Sequence, residues 1–185
     1  MTILLEAKNL TKWYVVGNQN GRSQEHCVLQ DVDLQIEQGD FIAVMGPSGS
    51  GKSTLLYNIS GMDRMSAGSV RFNGRELGAL SEQGLARLRL TEMGFVFQHI
   101  HLLKNLSIFD NIILPAYLAK KERRDTLNQR ANALMAQVGV AQLADNDITQ
   151  ASGGQLQRAM TAMAMARASV VRSAGERVRV PCGVC

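Results

Sequence analysis

Apolar and polar positions first alternate along this chain and later recur at helical spacing, so the pattern predicts strands early and helices late. Val32, Leu34 and Ile36 alternate with Asp31, Asp33 and Gln35, the period of a half-buried strand. Gln38-Gly39 then turns into Asp40-Phe41-Ile42-Ala43-Val44-Met45, a short apolar run of the kind that lies buried in a parallel sheet. Residues 17–24 are polar and glycine-bearing, an excursion expected to be flexible. Val70-Arg71-Phe72 and Arg75-Glu76-Leu77 flank Asn73-Gly74, which predicts a type I′ hairpin. Gly94-Phe95-Val96-Phe97 predicts another short buried strand, running straight into Gln98. A helical zone follows, with Ser107 and Asp110 placed as a capping box and Leu127, Ala131, Leu134 and Val138 on one helix face. A last helical run, rich in alanine and methionine, extends from Leu156 to Ala168, and no internal repeat is evident.

Length and charge narrow the classes. At 185 residues the chain has room for about one domain with a real core. No uncharged apolar stretch approaches the roughly 18 residues that span a bilayer, and Ile3-Leu4-Leu5 is cut off by Glu6 and Lys8, so neither a membrane helix nor a signal peptide is expected. The net charge is +4, half of it from the last 17 residues, where Arg172, Arg177 and Arg179 face Glu176 alone. Basic residues elsewhere are mixed with acidic ones, which argues against a nucleic-acid surface. Cys27, Cys182 and Cys185 suit a reducing compartment. Cys182 and Cys185 have C-x-x-C spacing, yet they open no helix that could lower a thiol pKa and have no second pair to complete a zinc site. His99 and His101 read as exposed loop histidines.

Two clusters carry chemistry. Gly46-Pro47-Ser48-Gly49-Ser50-Gly51-Lys52-Ser53-Thr54 has the G-x-x-x-x-G-K-[ST] spacing and sits between a predicted strand and a predicted helix, the context that cradles the phosphates of ATP or GTP. Glycines let backbone N–H groups curl around phosphate oxygens, the helix start adds its positive end, Lys52 neutralises β/γ-phosphate charge and the Ser53 hydroxyl holds Mg²⁺. The second cluster, Ala151-Ser152-Gly153-Gly154-Gln155, offers bare N–H groups and a hydroxyl at another helix start, again suited to an anion.

In this order, Tyr14, the Gly46–Thr54 loop, Gln98 and Ser152-Gly153-Gly154-Gln155 resemble the nucleotide-binding subunit of ABC transporters, over residues 1 to about 168. Met45–Thr54, Gly94–Gln98 and Leu102–Ser107 look most like the subgroup serving lipoprotein release, macrolide export and peptide-antibiotic resistance. The resemblance implies an α/β P-loop NTPase fold of ABC type: a mainly parallel core sheet, an N-terminal antiparallel β part and a helical subdomain. It implies an ATP-binding core over 1–98, a helical subdomain over 99–168 and an aberrant, disordered tail over 169–185. By the same resemblance Tyr14 stacks on adenine, the alternative being a core aromatic beside Trp13. Lys52 and Gln98 are then the catalytic residues, Ser53 and Gln98 the Mg²⁺ ligands, and Gln98 orients the attacking water. Ser152, Gly153, Gly154 and Gln155 face the ATP held by a second copy. The implied partners are a membrane permease and a homodimer mate, with the chain cytoplasmic and peripheral on the inner face of the cell membrane. The apolar stretch from His99 to Leu118, which Pro115 interrupts, is the expected permease groove, with Leu102 and Phe109 as anchors; the competing expectation is that it packs on Leu127, Leu134 and Val138.

The sequence departs from the family after Arg167-Ala168. The family pattern has an apolar strand ending in an Mg²⁺-ordering Asp and an adjacent general-base Glu; residues 169–185 hold no such strand and one acid, Glu176. Ala151, where the family usually has leucine, is a smaller departure. The C-terminal part of the core is accordingly expected to be missing, by frameshift or truncation, with Phe41, Ala43, Val44 and the 94–97 strand left uncovered. Two functions stay open: the energy subunit of an ATP-driven exporter, or a fragment that binds nucleotide or permease without turnover.

Overall fold

The computed structural model describes residues 2–17, 23–167 and 177–179. The expectations for most of the 17–24 excursion, for the tail apart from 177–179, and for Cys182 and Cys185 lie outside the described residues. The chain divides into two compact units, Met1–Leu85 with Arg172–Cys185, and Ala86–Val171.

The first unit is built on β1 (Ile3–Gly17), β2 (Ser23–Glu37), β3 (Phe41–Ala43), α1 (Lys52–Ile59), β4 (Ala67–Phe72), β5 (Arg75–Glu76) and β6 (Arg177–Arg179). Strands β2-β1-β4-β5, in that order, form an antiparallel sheet. The alternation at 31–36 holds in β2: Leu34 is buried, Val32 and Ile36 are half-buried, and Asp31, Asp33 and Gln35 are exposed. Leu5, Ala7 and Leu10 of β1, Leu29 of β2, Val70 and Phe72 of β4, and Leu55 and Ile59 of α1 are buried as the core of this unit. The β4–β5 turn has φ of 48° at Asn73 and 73° at Gly74, both left-handed as a type I′ hairpin requires.

The parallel part of the sheet is smaller than the sequence predicts. It consists of β3 beside β6, with Phe41 opposite Arg177 and Ala43 opposite Arg179. Phe41 is 63% exposed and Met45 66%, so the run read as a buried strand is largely open to solvent. Gly94–Phe97 is not a strand at all. The reason is the same in both places: a strand is defined and buried by the strands on its edges and the layers on its faces. Among the described residues, β3 has a neighbour on one edge and 94–97 has none. The 94–97 segment instead uses its rings, Phe95 stacking on Phe97 at 6.0 Å and Phe97 meeting His101 edge-on at 5.2 Å.

Helix α2 (Glu82–Glu92) begins in the first unit and ends in the second, whose core is α3 (Ile108–Ala119), α4 (Arg124–Gln137) and α5 (Gly153–Arg167). Ser107 caps α3, its Oγ accepting from the Asp110 N–H at 3.0 Å and donating to the Asp110 carboxylate at 2.9 Å. Pro115 does not interrupt α3 as expected; it is buried inside the helix, which gives up one backbone bond and runs on to Ala119. Leu127 and Ala131 are buried and Leu134 and Val138 pack beside them, the face the spacing predicts.

The expected permease groove is corrected here. Leu102, Ile108, Ile112, Ile113 and Ala116 are buried against Leu127, Ala131, Met135 and Met160, with Phe109 and Tyr117 packed on that cluster. Three apolar helix faces close on one another and consume the excess, so Leu102 is a core residue and Phe109 is half-buried against that core. Within 99–118, Ile100, Leu103 and Leu118 are the large apolar side chains left exposed. Asn111, buried at 3% exposure, holds the loop ahead of α3: its Nδ2 donates to the carbonyls of Leu103, Leu106 and Ser107, and its Oδ1 accepts from the Leu103 N–H.

Candidate functional site

The glycine loop leaves β3 and feeds directly into α1, as its sequence requires. Gly51 caps the helix with φ of 79°, a conformation that a side chain resists, and a Cβ there would lie 3.0 Å from the Val28 carbonyl and the Leu29 side chain. Gly49 is also left-handed, at 83°, with nothing within 4 Å of where its Cβ would be. Those two positions do different work: Gly51 lets the loop press onto β2, while Gly49 keeps the loop's mouth clear. Helix α1 has no side chain capping its first turn and no acidic residue in it. Its N–H groups and positive dipole end therefore await an anion from elsewhere.

Lys52 is held at that mouth. Its ammonium donates to the carbonyls of Gly46 at 2.9 Å and Pro47 at 2.6 Å, with Ser50 Oγ at 3.5 Å. A flexible lysine is thereby fixed beside the open N–H groups, a positive centre pre-placed where phosphate oxygens would come. Ser53 is exposed next to it and Thr54 is half-buried. Among the described residues no three His, Cys, Asp or Glu side chains converge to hold a metal ion. A Mg²⁺ ion at this loop would thus depend on phosphate oxygens and hydroxyls, the donor set that suits it.

Tyr14 is 39% exposed on β1, and Trp13, the alternative aromatic, is 36% exposed, so neither is a core residue. The Tyr14 hydroxyl donates to Asp63 Oδ2 at 2.7 Å. The Lys12 ammonium lies 4.7 Å from the centre of the Tyr14 ring and donates to Asp63 Oδ1 at 2.8 Å and to the Arg64 carbonyl at 2.7 Å. The bond to Asp63 is the main reason the Tyr14 phenol is pushed up from its ordinary value, with Thr54 of the glycine loop close enough to pull the other way. Burial raises the Asp63 carboxyl, but the bonds from Lys12 and Tyr14 outweigh it and leave the group below its ordinary 3.8. Sequence reading missed Lys12 and Asp63; the i, i+2 spacing of Lys12 and Tyr14 was available, whereas nothing in the sequence marks Asp63. Because the Asp63 pKa is depressed in the folded chain, its stabilising effect is present above the unfolded value and lost as pH falls through the folded one. Denaturant midpoints should hold above about pH 4 and fall below it, and Asp63→Asn should flatten that fall.

The second unit carries the remaining site residues. Gln98 is exposed in the loop after 94–97. Ser152, Gly153 and Gly154 are exposed at the start of α5. The Ser152 N–H donates to Gln155 Oε1 at 2.8 Å and the Gln155 N–H to Ser152 Oγ at 3.4 Å, a reciprocal cap that ties off this turn. A Cβ on Gly153 would meet nothing within 4 Å and one on Gly154 only the tip of Arg158. Packing among the described residues therefore does not explain either glycine.

A glycine loop with its lysine fixed, joined to a second capped Ser-Gly-Gly turn on one chain, is matched by a family model described as ABC transporter, over residues 29–172. The chain belongs to the ABC transporter family. The macrolide export ATP-binding/permease protein MacB of Rhodopseudomonas palustris is 45% identical over 148 residues, which is 80% of this chain and 22% of MacB. The bacitracin export ATP-binding protein BceA of Halalkalibacterium halodurans is 37% identical over 87% of this chain and 61% of its own length. The lipoprotein-releasing system ATP-binding protein LolD 1 of R. palustris is 38% identical over 90% of this chain and 72% of its own. This ABC chain thus spans about a fifth of the first relative and under three quarters of the others. Among solved structures it resembles the bacterial ABC transporter cassette MJ0796, described as a dimer and in a post-hydrolysis state bound to ADP and Pi. The TM-score is 0.79 and the identity 32%, over 88% of this chain and 69% of MJ0796. The fold class and the subgroup read from the sequence are both shown by these likenesses. No described helix is long and apolar enough to cross a membrane.

Proposed function

We propose that this chain is an ATP-binding, energy-coupling part of a membrane exporter of the macrolide, bacitracin or lipoprotein-release kind. The observation that carries the reading is the glycine loop with Lys52 fixed by the Gly46 and Pro47 carbonyls beside the open N-terminus of α1. In this reading Gly46, Ser48, Gly49, Ser50, Gly51 and Thr54 wrap the phosphates with backbone N–H groups, Pro47, which has none, shapes the loop between them, and Lys52 binds the β/γ oxygens. Ser53 would hold Mg²⁺, which when bound supplies charge neutralisation at the β- and γ-phosphates. Tyr14 would present its ring to adenine. The Ser152-Gly153-Gly154-Gln155 turn faces a nucleotide held by a second copy, which accounts for two exposed glycines that packing among the described residues does not require. A permease would keep the chain peripheral on the inner face of the membrane.

A second reading keeps the binding and drops the turnover. It is favoured by one observation: residues 169–185 hold one acid, Glu176, and no Asp-Glu pair. The shared part of both readings is tested at α5. Gly154→Asp places a carboxylate where a phosphate is expected, so it should leave the affinity of the single chain for MgATP within about twofold while abolishing nucleotide-driven pairing, read by sedimentation. Pairing that persists in Gly154→Asp would remove the turn from the site.

A further inference from the structure

We infer that Lys12 and Asp63 form a clamp that sets the Tyr14 ring for a nucleobase, making them positioning residues for base recognition. The inference rests on the reading that Tyr14 stacks on the base. Three groups meet in the clamp. Asp63 accepts from the Tyr14 hydroxyl with one oxygen and from the Lys12 ammonium with the other, at 2.7 and 2.8 Å. The same ammonium sits 4.7 Å from the Tyr14 ring centre and donates to the Arg64 carbonyl at 2.7 Å. The Tyr14 ring is therefore fixed at its hydroxyl and over one face.

Asp63 is itself well placed to serve as an anchor. It lies in the turn after α1, and its N–H donates to the Tyr57 carbonyl at 3.1 Å, beside a 2.8 Å bond from Met62 to the same oxygen. The helix that begins at the phosphate-loop lysine thus carries, in its last turn, the carbonyl that holds the residue fixing the tyrosine. One short helix sets both the phosphate end and the base end of a nucleotide site, and Thr54 lies close enough to Tyr14 to act on its hydroxyl.

The cost of the arrangement argues for a purpose beyond holding β1 in place. The Lys12 side chain is only 11% exposed, and a buried ammonium is stabilising only when fully partnered. An aliphatic side chain would fill the same space between β1 and the 63–66 turn without that demand. What an aliphatic chain cannot do is bond Asp63 and so hold a partly exposed tyrosine still. A ring left free to rotate loses rotamer entropy when a base stacks on it, and a ring already fixed does not.

The test uses the full 185-residue chain and two probes, MgATP and inorganic tripolyphosphate with Mg²⁺, which shares the phosphates and lacks the base. Tyr14→Phe removes one oxygen and keeps the ring; Asp63→Ala removes the anchor. Each should weaken MgATP by about three- to tenfold, the worth of one hydrogen bond, and leave tripolyphosphate within about twofold. The double variant should be no weaker than the worse single one, because both changes break the same bond. Tyr14→Phe also guards against a folding failure in Asp63→Ala, since it deletes a single exposed hydroxyl. If Tyr14→Ala weakens MgATP while Tyr14→Phe does not, the clamp is overturned and stacking stands. If Tyr14→Ala binds MgATP normally, both are overturned. Equal losses for MgATP and tripolyphosphate would show a merely structural role and would also overturn the clamp.

Discussion

Replacing Lys52 by Ala is expected to weaken MgATP binding by at least about 100-fold, because two or more charge-assisted bonds to phosphate oxygens are lost together, each worth about 1.5–3 kcal/mol. In the structure the ammonium is already bonded to the Gly46 and Pro47 carbonyls, so little of its freedom remains to be surrendered when phosphate arrives. The same bonds brace the loop, and the substitution therefore has a second possible effect, on stability. Two measurements separate them: a titration with fluorescent ATP reads affinity, and a thermal melt reads the fold. Lys52→Arg is the sharper control. It keeps a charged donor for the loop carbonyls, but its planar guanidinium cannot place a compact charge among the phosphate oxygens, so it should recover the melt without recovering the affinity. Ordinary affinity in Lys52→Ala would mean that the loop is not the nucleotide site.

The second large effect concerns turnover. The 185-residue chain is expected to hydrolyse ATP at least about 100-fold more slowly than an ABC cassette that carries a carboxylate base, since a positioned general base contributes about 10²- to 10⁴-fold. Two acids of the first unit are committed elsewhere. Asp63 is held by Lys12 and Tyr14, and Asp40 accepts from the Glu37 N–H at 2.8 Å. Residues 169–185 offer Glu176 alone. Phosphate release at the level of Lys52→Ala is the predicted outcome. Steady release that Lys52→Ala abolishes would show that another group serves as base.

How much of this was legible in the sequence depended on whether a signal was local. Asn73-Gly74, the Ser107–Asp110 cap, the Leu127–Val138 face and the Gly46–Thr54 loop are decided by residues a few positions apart, and the structure places each as read. Strands are decided by their neighbours. Phe41–Ala43 and Gly94–Phe97 have the composition of buried strands, but the first has one described partner and the second none, so the apolar runs end exposed or irregular. The 99–118 stretch failed in the opposite sense. Its apolar excess looked too large for a small helical unit, yet α3, α4 and α5 close on Leu102, Ile108, Ile112 and Ile113 and bury them. Density of apolar residues cannot distinguish a groove from a core; only the closing partner helices do. At the site, the sequence marked residues that belong to motifs and passed over Lys12 and Asp63, which meet across 51 positions of chain.

The central claim is that the Gly46–Thr54 loop receives the phosphates of ATP. It is tested most directly by following backbone amide resonances of the isotope-labelled chain as MgATP is added. The account predicts that the amides of Gly49, Gly51, Lys52 and Ser53 shift most, saturating at one nucleotide per chain, and that tripolyphosphate reproduces those shifts but not the ones at Tyr14. Saturable binding with the loop amides unmoved, or no binding to a chain whose spectrum shows it folded, would contradict it.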